Sequence, residues 1–80
     1  MEKYQFFKEY NILCIEDDEI TLNYLEAFLS IFFKKVIVAI NAEEAYKKVK
    51  SEKIDIILTD IYMPNESGIT FIQKWRNEKK

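Results

Sequence analysis

Three short apolar runs, each followed by a stretch with helical periodicity, constrain the fold of this chain more than any other feature. The runs are residues 12–15 (ILCI), 36–40 (VIVAI) and 54–58 (IDIIL). All three runs are predicted to be strands, and the first and third are predicted to be buried on both faces, because such strands are typically short and almost continuously apolar. Regular alternation of strands with helices predicts a parallel sheet with crossover helices, and therefore an α/β fold.

The first helix is predicted over residues 18–32. Its apolar side chains recur at helical spacing and predict one broad face, made by Ile20, Tyr24, Leu25, Phe28, Leu29 and Phe32. Lys34 and Lys35 follow this stretch, and their positive charge is the sign favoured at the carboxyl end of a helix. The strand predicted at 36–40 would then begin directly after these lysines.

The second and third helices have their own start signals. Asn41 and Glu44 form a capping-box pattern, which predicts a helix that ends near Ser51. A third helix is predicted after Gly68. Within it Phe71 and Trp75 share one line, with Ile69, Ile72 and Arg76 on another. Aromatic residues at this spacing favour core packing over a platform for stacking nucleobases.

Eighty residues are enough for one small domain. Residues 1–10 are predicted to be a lead-in segment, either a short helix or extended chain, and residues 11–80 the domain. Twelve basic and fourteen acidic side chains give a net charge of −2, without the basic stripe that nucleic-acid binding leaves. The longest apolar run, 27–33, is interrupted by Ser30 and is too short to span a bilayer.

The chain has one cysteine, Cys14, and no histidine. A single cysteine has no partner for an internal disulfide, so a reducing cytoplasm is the expected location. Because Cys14 lies inside an apolar run, a buried and inert thiol is expected. The lack of histidine excludes His-based zinc sites, Ser-His and Cys-His nucleophile pairs and a phosphohistidine donor role. Carboxylates remain as the candidates for chemistry.

Acidic residues follow two of the predicted strands. Asp60 ends the third apolar run, and four acids follow the first, Glu16, Asp17, Asp18 and Glu19. Acids at the start of a helix stabilise its dipole, which explains one or two of the four but not why four like charges crowd together. Asp60 is likewise either a residue that begins a turn or a ligand-binding group at a strand end. Both interpretations remain open at this point.

Topology brings these acids together. If right-handed crossovers place the second strand on one side of the first and the third strand on the other, the sheet order is 2-1-3. Ligands bind such sheets in the crevice at the carboxyl ends, where the chain direction reverses. Glu16, Asp17 and Asp60 would share that crevice. Mg²⁺ would offset their mutual repulsion, and Asp60 would be placed to attack a phosphoryl group.

Two motifs resemble a known family. Residues 12–19 (ILCIEDDE) and 55–69 (DIILTDIYMPNESGI) look like the amino-terminal half of a response-regulator receiver domain from two-component signalling, and the resemblance covers roughly residues 11–76. It implies a flavodoxin-like sheet in which Asp60 accepts phosphate from a sensor histidine kinase. Glu16, Asp17 and Asp60 would hold Mg²⁺, with Asp17 the direct ligand of the acidic pair. The backbone carbonyl of Tyr62 would complete the metal site. The loop after the phosphoacceptor is matched by Met63, Pro64 and Gly68.

The match to the family is partial. The family has about five strands, whereas this sequence supplies three. In the family, a Ser or Thr after strand four and a lysine after strand five contact the phosphoryl group. This sequence does not include those two positions. Ser67 stands where the family often has an acid. We therefore expect impaired switching and an exposed third-strand edge. That edge predicts a homo-oligomer, or else a piece of a longer polypeptide.

Two other functions compete with the phosphoacceptor. One is a non-phosphorylated interaction or dimerisation module that uses the exposed sheet edge, with the acids left without a role. The other is an aspartyl-phosphate hydrolase of the haloacid dehalogenase type. That enzyme class needs a second aspartate two residues after the nucleophile, where this chain has Tyr62. The sequence therefore predicts a signalling module and no enzyme activity of its own.

Overall fold

The computed structural model of this chain describes residues 6–60 and 66–78. Within these ranges, strands and helices alternate after one 3₁₀ turn at Phe6–Glu9. The strands are β1 (Asn11–Ile15), β2 (Lys35–Ala39) and β3 (Ile56–Thr59), and the helices are α1 (Glu19–Leu29), α2 (Ala42–Ser51) and α3 (Gly68–Glu78). None of the helices in the described ranges is long and apolar enough to cross a membrane.

The three strands form one parallel sheet in the order β2-β1-β3. This is the predicted 2-1-3 order, and it corresponds to the first three strands of a flavodoxin-like sheet. Ile15, the last residue of β1, pairs with Ala39 of β2 and with Thr59 of β3. All three strands therefore end at the same level, and the residues that follow them meet at one edge of the sheet.

Alternating side chains of β1 supply two cores, one on each face of the sheet. Ile12 and Cys14 pack with α1, in a cluster that includes Leu22 and Leu29. Leu13 and Ile15 lie on the opposite face. They pack in a larger cluster with residues of α2 and α3, namely Ala42, Ala45 and Phe71. The result is a three-layer arrangement with α1 on one side of the sheet and α2 and α3 on the other.

Burial on both faces was predicted for the first and third runs, but among the described strands it is found for β1 alone. Four of the five β1 residues are buried, whereas β2 alternates between buried and part-exposed positions. No residue of β3 is fully buried, and Leu58 is 43% exposed. The reason is position: β1 has a neighbour on each side, while β2 and β3 are the flanking strands. Ile54 is buried as predicted, but it precedes β3 rather than belonging to it.

The structure corrects the predicted face and length of the first helix. Helix α1 ends at Leu29, with Ser30 as its carboxyl cap, instead of continuing to residue 32. Its inward face carries Leu22, Leu25 and Leu29. The predicted i, i+4 line points outward instead, with exposed fractions of 68%, 75% and 58% for Ile20, Tyr24 and Phe28. Two positions along a helix turn the side chain by about 200°, so Ile20 and Leu22 lie on opposite sides.

The two lysines after α1 do not cap that helix. Basic residues are lacking in the last turn of α1, and Lys35 is the first residue of β2. Its ammonium group lies 2.8 Å from Glu52, at the end of α2. The Lys34 amide donates a hydrogen bond to the carbonyl of Tyr10 at 3.0 Å. The prediction that these lysines close α1 was therefore wrong.

The start of α2 follows the predicted capping pattern. The Asn41 side chain accepts a hydrogen bond from the Glu44 amide at 2.8 Å. The Glu44 carboxylate accepts one from the Ile40 amide at 3.1 Å, one residue before the usual partner of a capping box. In α3, Phe71 is fully buried and Trp75 packs against the same cluster, which confirms their predicted core role.

In its described part the lead-in segment contains a short helix, which is one of the two predicted conformations. It forms the 3₁₀ turn Phe6–Glu9, and the Phe7 ring lies 5.3 Å from the Phe33 ring. Cys14, the fourth of the five residues of β1, is fully buried, as predicted. Burial raises the pKa of its thiol to about 11, and the nearby charge of Glu16 adds to this. The thiol therefore stays protonated and unreactive at neutral pH.

Candidate functional site

The sheet register positions the acids that follow β1 and β3. The Asp60 amide donates a hydrogen bond to the carbonyl of Ile15 at 3.2 Å, and the Glu16 amide donates one to the carbonyl of Ala39 at 3.1 Å. Both residues thus continue the hydrogen-bond ladder by one step beyond the strands. Glu16 and Asp60 are placed side by side at the carboxyl edge of the sheet, where ligands bind in open α/β folds.

Three carboxylates meet at this edge. Glu16, Asp17 and Asp60 each offer an oxygen atom, and these atoms all lie within 4.8 Å of one another. Asp17 is exposed, while Glu16 and Asp60 are partly buried. A cleft of about 340 Å³ opens beside them, between the ends of β1 and β3 and helix α1. The sequence predicted that these residues would share one crevice, and the structure brings them together.

The four consecutive acids divide into two pairs with different roles. Asp18 is the N-cap of α1: its carboxylate accepts hydrogen bonds from the Thr21 amide at 3.0 Å and from the Thr21 hydroxyl. These bonds lower the pKa of Asp18. Glu19 lies in the first turn of the helix. Capping therefore accounts for Asp18 and Glu19, whereas Glu16 and Asp17 stand beside Asp60.

Gly68 packs directly against the residue that carries the third carboxylate. A Cβ atom at position 68 would overlap the backbone carbonyl oxygen of Asp60 and lie 2.9 Å from Cγ2 of Thr59. Ser67, just before it, accepts a hydrogen bond from the Thr70 amide at 3.1 Å. Ser67 therefore acts as an N-cap for α3, a role that serine and aspartate both perform well. Helix α3 begins in direct contact with the end of β3.

Three predicted residues, Tyr62, Met63 and Pro64, lie outside the described residues. Their assigned roles, as metal-ligating carbonyl and as part of the loop after Asp60, remain predictions. Gly68 is described and lies at the start of α3.

The sequence reasoning missed a polar group next to this loop. The Tyr46 hydroxyl donates a hydrogen bond to the Glu66 carboxylate, and the Lys74 ammonium lies 3.5 Å from the same carboxylate. Lys74 also lies 5.6 Å from the centre of the Tyr46 ring. Burial and the Glu66 carboxylate both raise the pKa of Tyr46. Tyr46 and Glu66 are distant in sequence, and no local spacing pattern indicates their contact.

Gly68→Ala tests the contact between α3 and the end of β3. Overlap of the new methyl group with a backbone carbonyl is expected to cost about 1–3 kcal/mol of unfolding free energy. That exceeds the gain of about 0.4–1 kcal/mol that alanine brings at an unstrained glycine site. Urea unfolding measures the difference, with Gln73→Ala as the control at an exposed position of the same helix. A Gly68→Ala chain as stable as the parent would contradict this packing.

The fold and the acid cluster together define a class of protein. It is a flavodoxin-like α/β sheet with a carboxylate site at the point where the chain direction reverses. Comparison with known proteins identifies the family. The sequence profile of the response regulator receiver domain matches residues 12–80. The chain therefore belongs to the response-regulator receiver family of two-component signalling.

Individual relatives agree with this assignment. The probable C4-dicarboxylate response regulator DctR of Bacillus subtilis is 34% identical over 74 residues, which are 90% of this chain and 33% of DctR. The solved response regulator MaeR, bound to beryllium trifluoride, is 28% identical with a TM-score of 0.78, over 88% of this chain and 59% of that one.

A complex is also among the solved relatives. The receiver domain of the response regulator Ssk1, co-crystallised with the histidine phosphotransfer protein Ypd1 of Saccharomyces cerevisiae, gives 28% identity and a TM-score of 0.79. That match covers 91% of this chain and 50% of the solved one. The chain thus spans about a third of the length of DctR and half or slightly more of the solved chains.

Proposed function

We propose that this chain is a phosphoacceptor receiver module, in which Asp60 accepts a phosphoryl group. Glu16, Asp17 and Asp60 would hold Mg²⁺, together with the backbone carbonyl of Tyr62. The observation that carries the proposal is the meeting of three carboxylates within 4.8 Å at the switch point of the sheet. Residues 11–80 would form this part of the receiver domain, with residues 1–10 as a lead-in segment.

The donor set fits the proposed ion. Three carboxylates this close repel one another unless a cation or a proton offsets their charge. Oxygen atoms of carboxylates are the ligands that Mg²⁺ prefers, usually one or two of them with waters and phosphate oxygens. When bound, Mg²⁺ would supply the positive charge that lets an anionic phosphoryl group approach the carboxylates. The partly open site, with Asp17 exposed, leaves room for water and for the donor.

The residues of the chain have separate parts in the reaction. A carboxylate oxygen of Asp60 attacks the phosphorus atom and forms a P–O bond, which makes an aspartyl phosphate. The bond between phosphorus and the donor breaks, and the leaving group keeps the electron pair. Glu16 is held in place by the hydrogen bond that its carboxylate accepts from the Asp18 amide at 3.1 Å. The N-cap of α1 thereby orients a proposed metal ligand.

The donor in this proposal is a sensor histidine kinase or a histidine phosphotransfer protein. The co-crystal of the Ssk1 receiver domain with Ypd1 supports it, because that receiver has the same fold over 91% of this chain. A cytoplasmic location belongs to the same proposal, since Cys14 has no second cysteine for a disulfide. We propose a phosphate-accepting role for this segment and no enzymatic turnover of its own.

A second candidate function has its own structural support. Leu58 on β3 and Ile69 on α3 are exposed apolar side chains next to the flanking edge of the sheet. An apolar edge strand is a template for pairing with another chain. A homo-oligomer in which a second copy covers β3 would make this segment a non-phosphorylated interaction module that uses the exposed sheet edge. Sedimentation that gives a folded monomer at all concentrations would exclude this alternative.

The phosphoacceptor proposal is tested by removing the metal. Incubation with acetyl phosphate and Mg²⁺ is expected to give a single phosphoryl adduct in the intact mass spectrum. Addition of EDTA before the phosphoryl donor is expected to abolish the adduct, because the three carboxylates then repel the donor without compensation. An adduct that forms equally in EDTA would contradict the metal role. No adduct under any condition would favour the interaction module.

A further inference from the structure

We propose that Glu66 is a positioning residue, which ties the chain segment after Asp60 to α2 through Tyr46 and to α3 through Lys74. The contacts converge on one carboxylate. One oxygen accepts the hydrogen bond from the Tyr46 hydroxyl, and the other lies 3.5 Å from the Lys74 ammonium. Because the Glu66 side chain is only 16% exposed, these two partners compensate a charge that is largely removed from water.

The side of this contact that belongs to α2 is packed into the core. The Tyr46 ring lies 4.8 Å from the ring of Phe71, which is fully buried. Ala42 and Ala45, on the same helix, are buried in the core that includes Leu13 and Ile15 of the central strand. Tyr46 is thus attached to the best-packed part of the molecule. A hydrogen bond from this residue fixes the position of Glu66 relative to the sheet.

Glu66 lies close in sequence to two residues of the site. It follows Asp60 by six positions and precedes Gly68 by two. Gly68 is in contact with the backbone of Asp60. The connection between β3 and α3 is therefore attached to the folded core at both of its ends, at Asp60 by the sheet and at Glu66 by Tyr46. We infer that the positions of its two ends, Asp60 and Glu66, are fixed before any ligand binds.

The consequence concerns the metal site, and this part of the inference rests on the proposed function. The carbonyl of Tyr62 lies within this connection, two residues after Asp60. If Tyr46 holds Glu66, less conformational freedom is lost when the connection contributes a ligand to Mg²⁺. Loss of the Tyr46 hydroxyl should therefore weaken Mg²⁺ binding while the chemistry at Asp60 stays intact. A residue that only stabilises the fold would not have this selective effect.

The test compares variants that differ by one group. Tyr46→Phe removes the hydroxyl and keeps the ring that packs on Phe71, and Glu66→Ala removes the carboxylate. Glu66→Gln keeps an oxygen that can accept the hydrogen bond. Tyr24→Phe is the matched control, since Tyr24 is exposed on α1. Two measurements are made on each: the Mg²⁺ concentration that half-saturates phosphorylation by acetyl phosphate, and hydrogen–deuterium exchange of residues 61–67.

We expect Tyr46→Phe and Glu66→Ala to raise the half-saturating Mg²⁺ concentration by about three- to tenfold. This is the change expected if part of the free energy of one charge-assisted hydrogen bond contributes to Mg²⁺ binding. The phosphorylation reached at saturating Mg²⁺ should stay unchanged. Exchange of residues 61–67 should become faster while β1 remains protected. Glu66→Gln should restore most of the parent behaviour, and Tyr24→Phe should equal the parent in both measurements.

The two measurements separate the possible failures. If exchange of residues 61–67 is the same in Tyr46→Phe and in the parent chain, Glu66 does not hold this segment and the inference is wrong. If exchange rises but the Mg²⁺ dependence does not change, the positioning role is wrong although the contact is real. A parent chain that binds no Mg²⁺ and forms no adduct would overturn the proposed function and the metal part of this inference. The exchange measurement tests only the contact between Tyr46 and Glu66, so its failure would leave the proposed function standing.

Discussion

Asp60→Asn is expected to abolish the phosphoryl adduct that the parent chain forms with acetyl phosphate and Mg²⁺. The amide has nearly the shape of the carboxylate, but it is neutral and its nitrogen and oxygen are poor nucleophiles, so the P–O bond cannot form. The fold should not suffer, because the substitution removes one of three like charges that lie within 4.8 Å of one another. Intact mass spectrometry and thermal unfolding measure the two expectations.

Asp18→Asn is the matched control for this substitution. It makes the same chemical change two positions from Glu16, at a residue that serves as the N-cap of α1. Asparagine and aspartate are about equally good N-caps, so the helix should be retained. The adduct should form in this variant as in the parent. An adduct that persists in Asp60→Asn would place the acceptor elsewhere and contradict the proposed function.

Phe71→Ala is expected to destabilise the chain by about 3–5 kcal/mol. Phe71 is fully buried, belongs to the core shared by α2, α3 and the sheet, and packs against the Tyr46 ring. Native domains have total stabilities of about 5–15 kcal/mol, and small ones lie at the low end. The substitution should therefore remove most of the stability of the chain at room temperature.

Urea unfolding followed by far-UV circular dichroism measures this loss. Phe28→Ala is the matched control, because Phe28 carries the same ring at an exposed position of α1, where it contacts Phe32. It is expected to cost about 1 kcal/mol or less, the scale of one aromatic pair. Equal effects at positions 28 and 71 would mean that the core is not centred on α3 and the sheet.

The sheet order and the meeting of the carboxylates were predictable because each depends on patterns that a sequence shows directly. The run ILCI is buried as a central strand, and both it and the third run end in acids. Parallel strands whose ends are level must bring those ends to one edge. The distance in sequence between Asp17 and Asp60 is then irrelevant. With right-handed crossovers, the 2-1-3 strand order places the acids that follow the first and third runs next to each other.

The inward face of α1 was not predictable by the same reasoning. The predicted broad face combined two apolar lines of this helix and left out Leu22. The structure buries Leu22 and Leu29 and exposes Ile20 and Tyr24. Hydropathy does not distinguish these lines, because the choice depends on which side chains fill the space over Ile12 and Cys14. Packing against the sheet decides it, and packing is not a local property.

The contact between Tyr46 and Glu66 was hidden for a different reason. It joins α2 to the start of α3 across the surface of the core, and neither residue has a recognisable signal in its own neighbourhood. Tyr46 has the spacing of an ordinary apolar position of an amphipathic helix. Glu66 lies between a proline and a glycine, in a segment with loop composition, and charged residues are common in loops. Such contacts between polar side chains become visible in the folded chain.

The paired ends of β1 and β3 imply where this sequence can tolerate changes in length. An extra residue in the turns around α1, β2 or α2 would leave the pairing of Ile15 with Thr59 intact. One extra residue within β3 would instead reverse which face each later side chain occupies, since successive residues of a strand point to opposite faces. Asp60 would then turn away from Glu16. Insertions and deletions among natural variants that keep the acids functional should therefore accumulate at the loops and spare the last two residues of each strand.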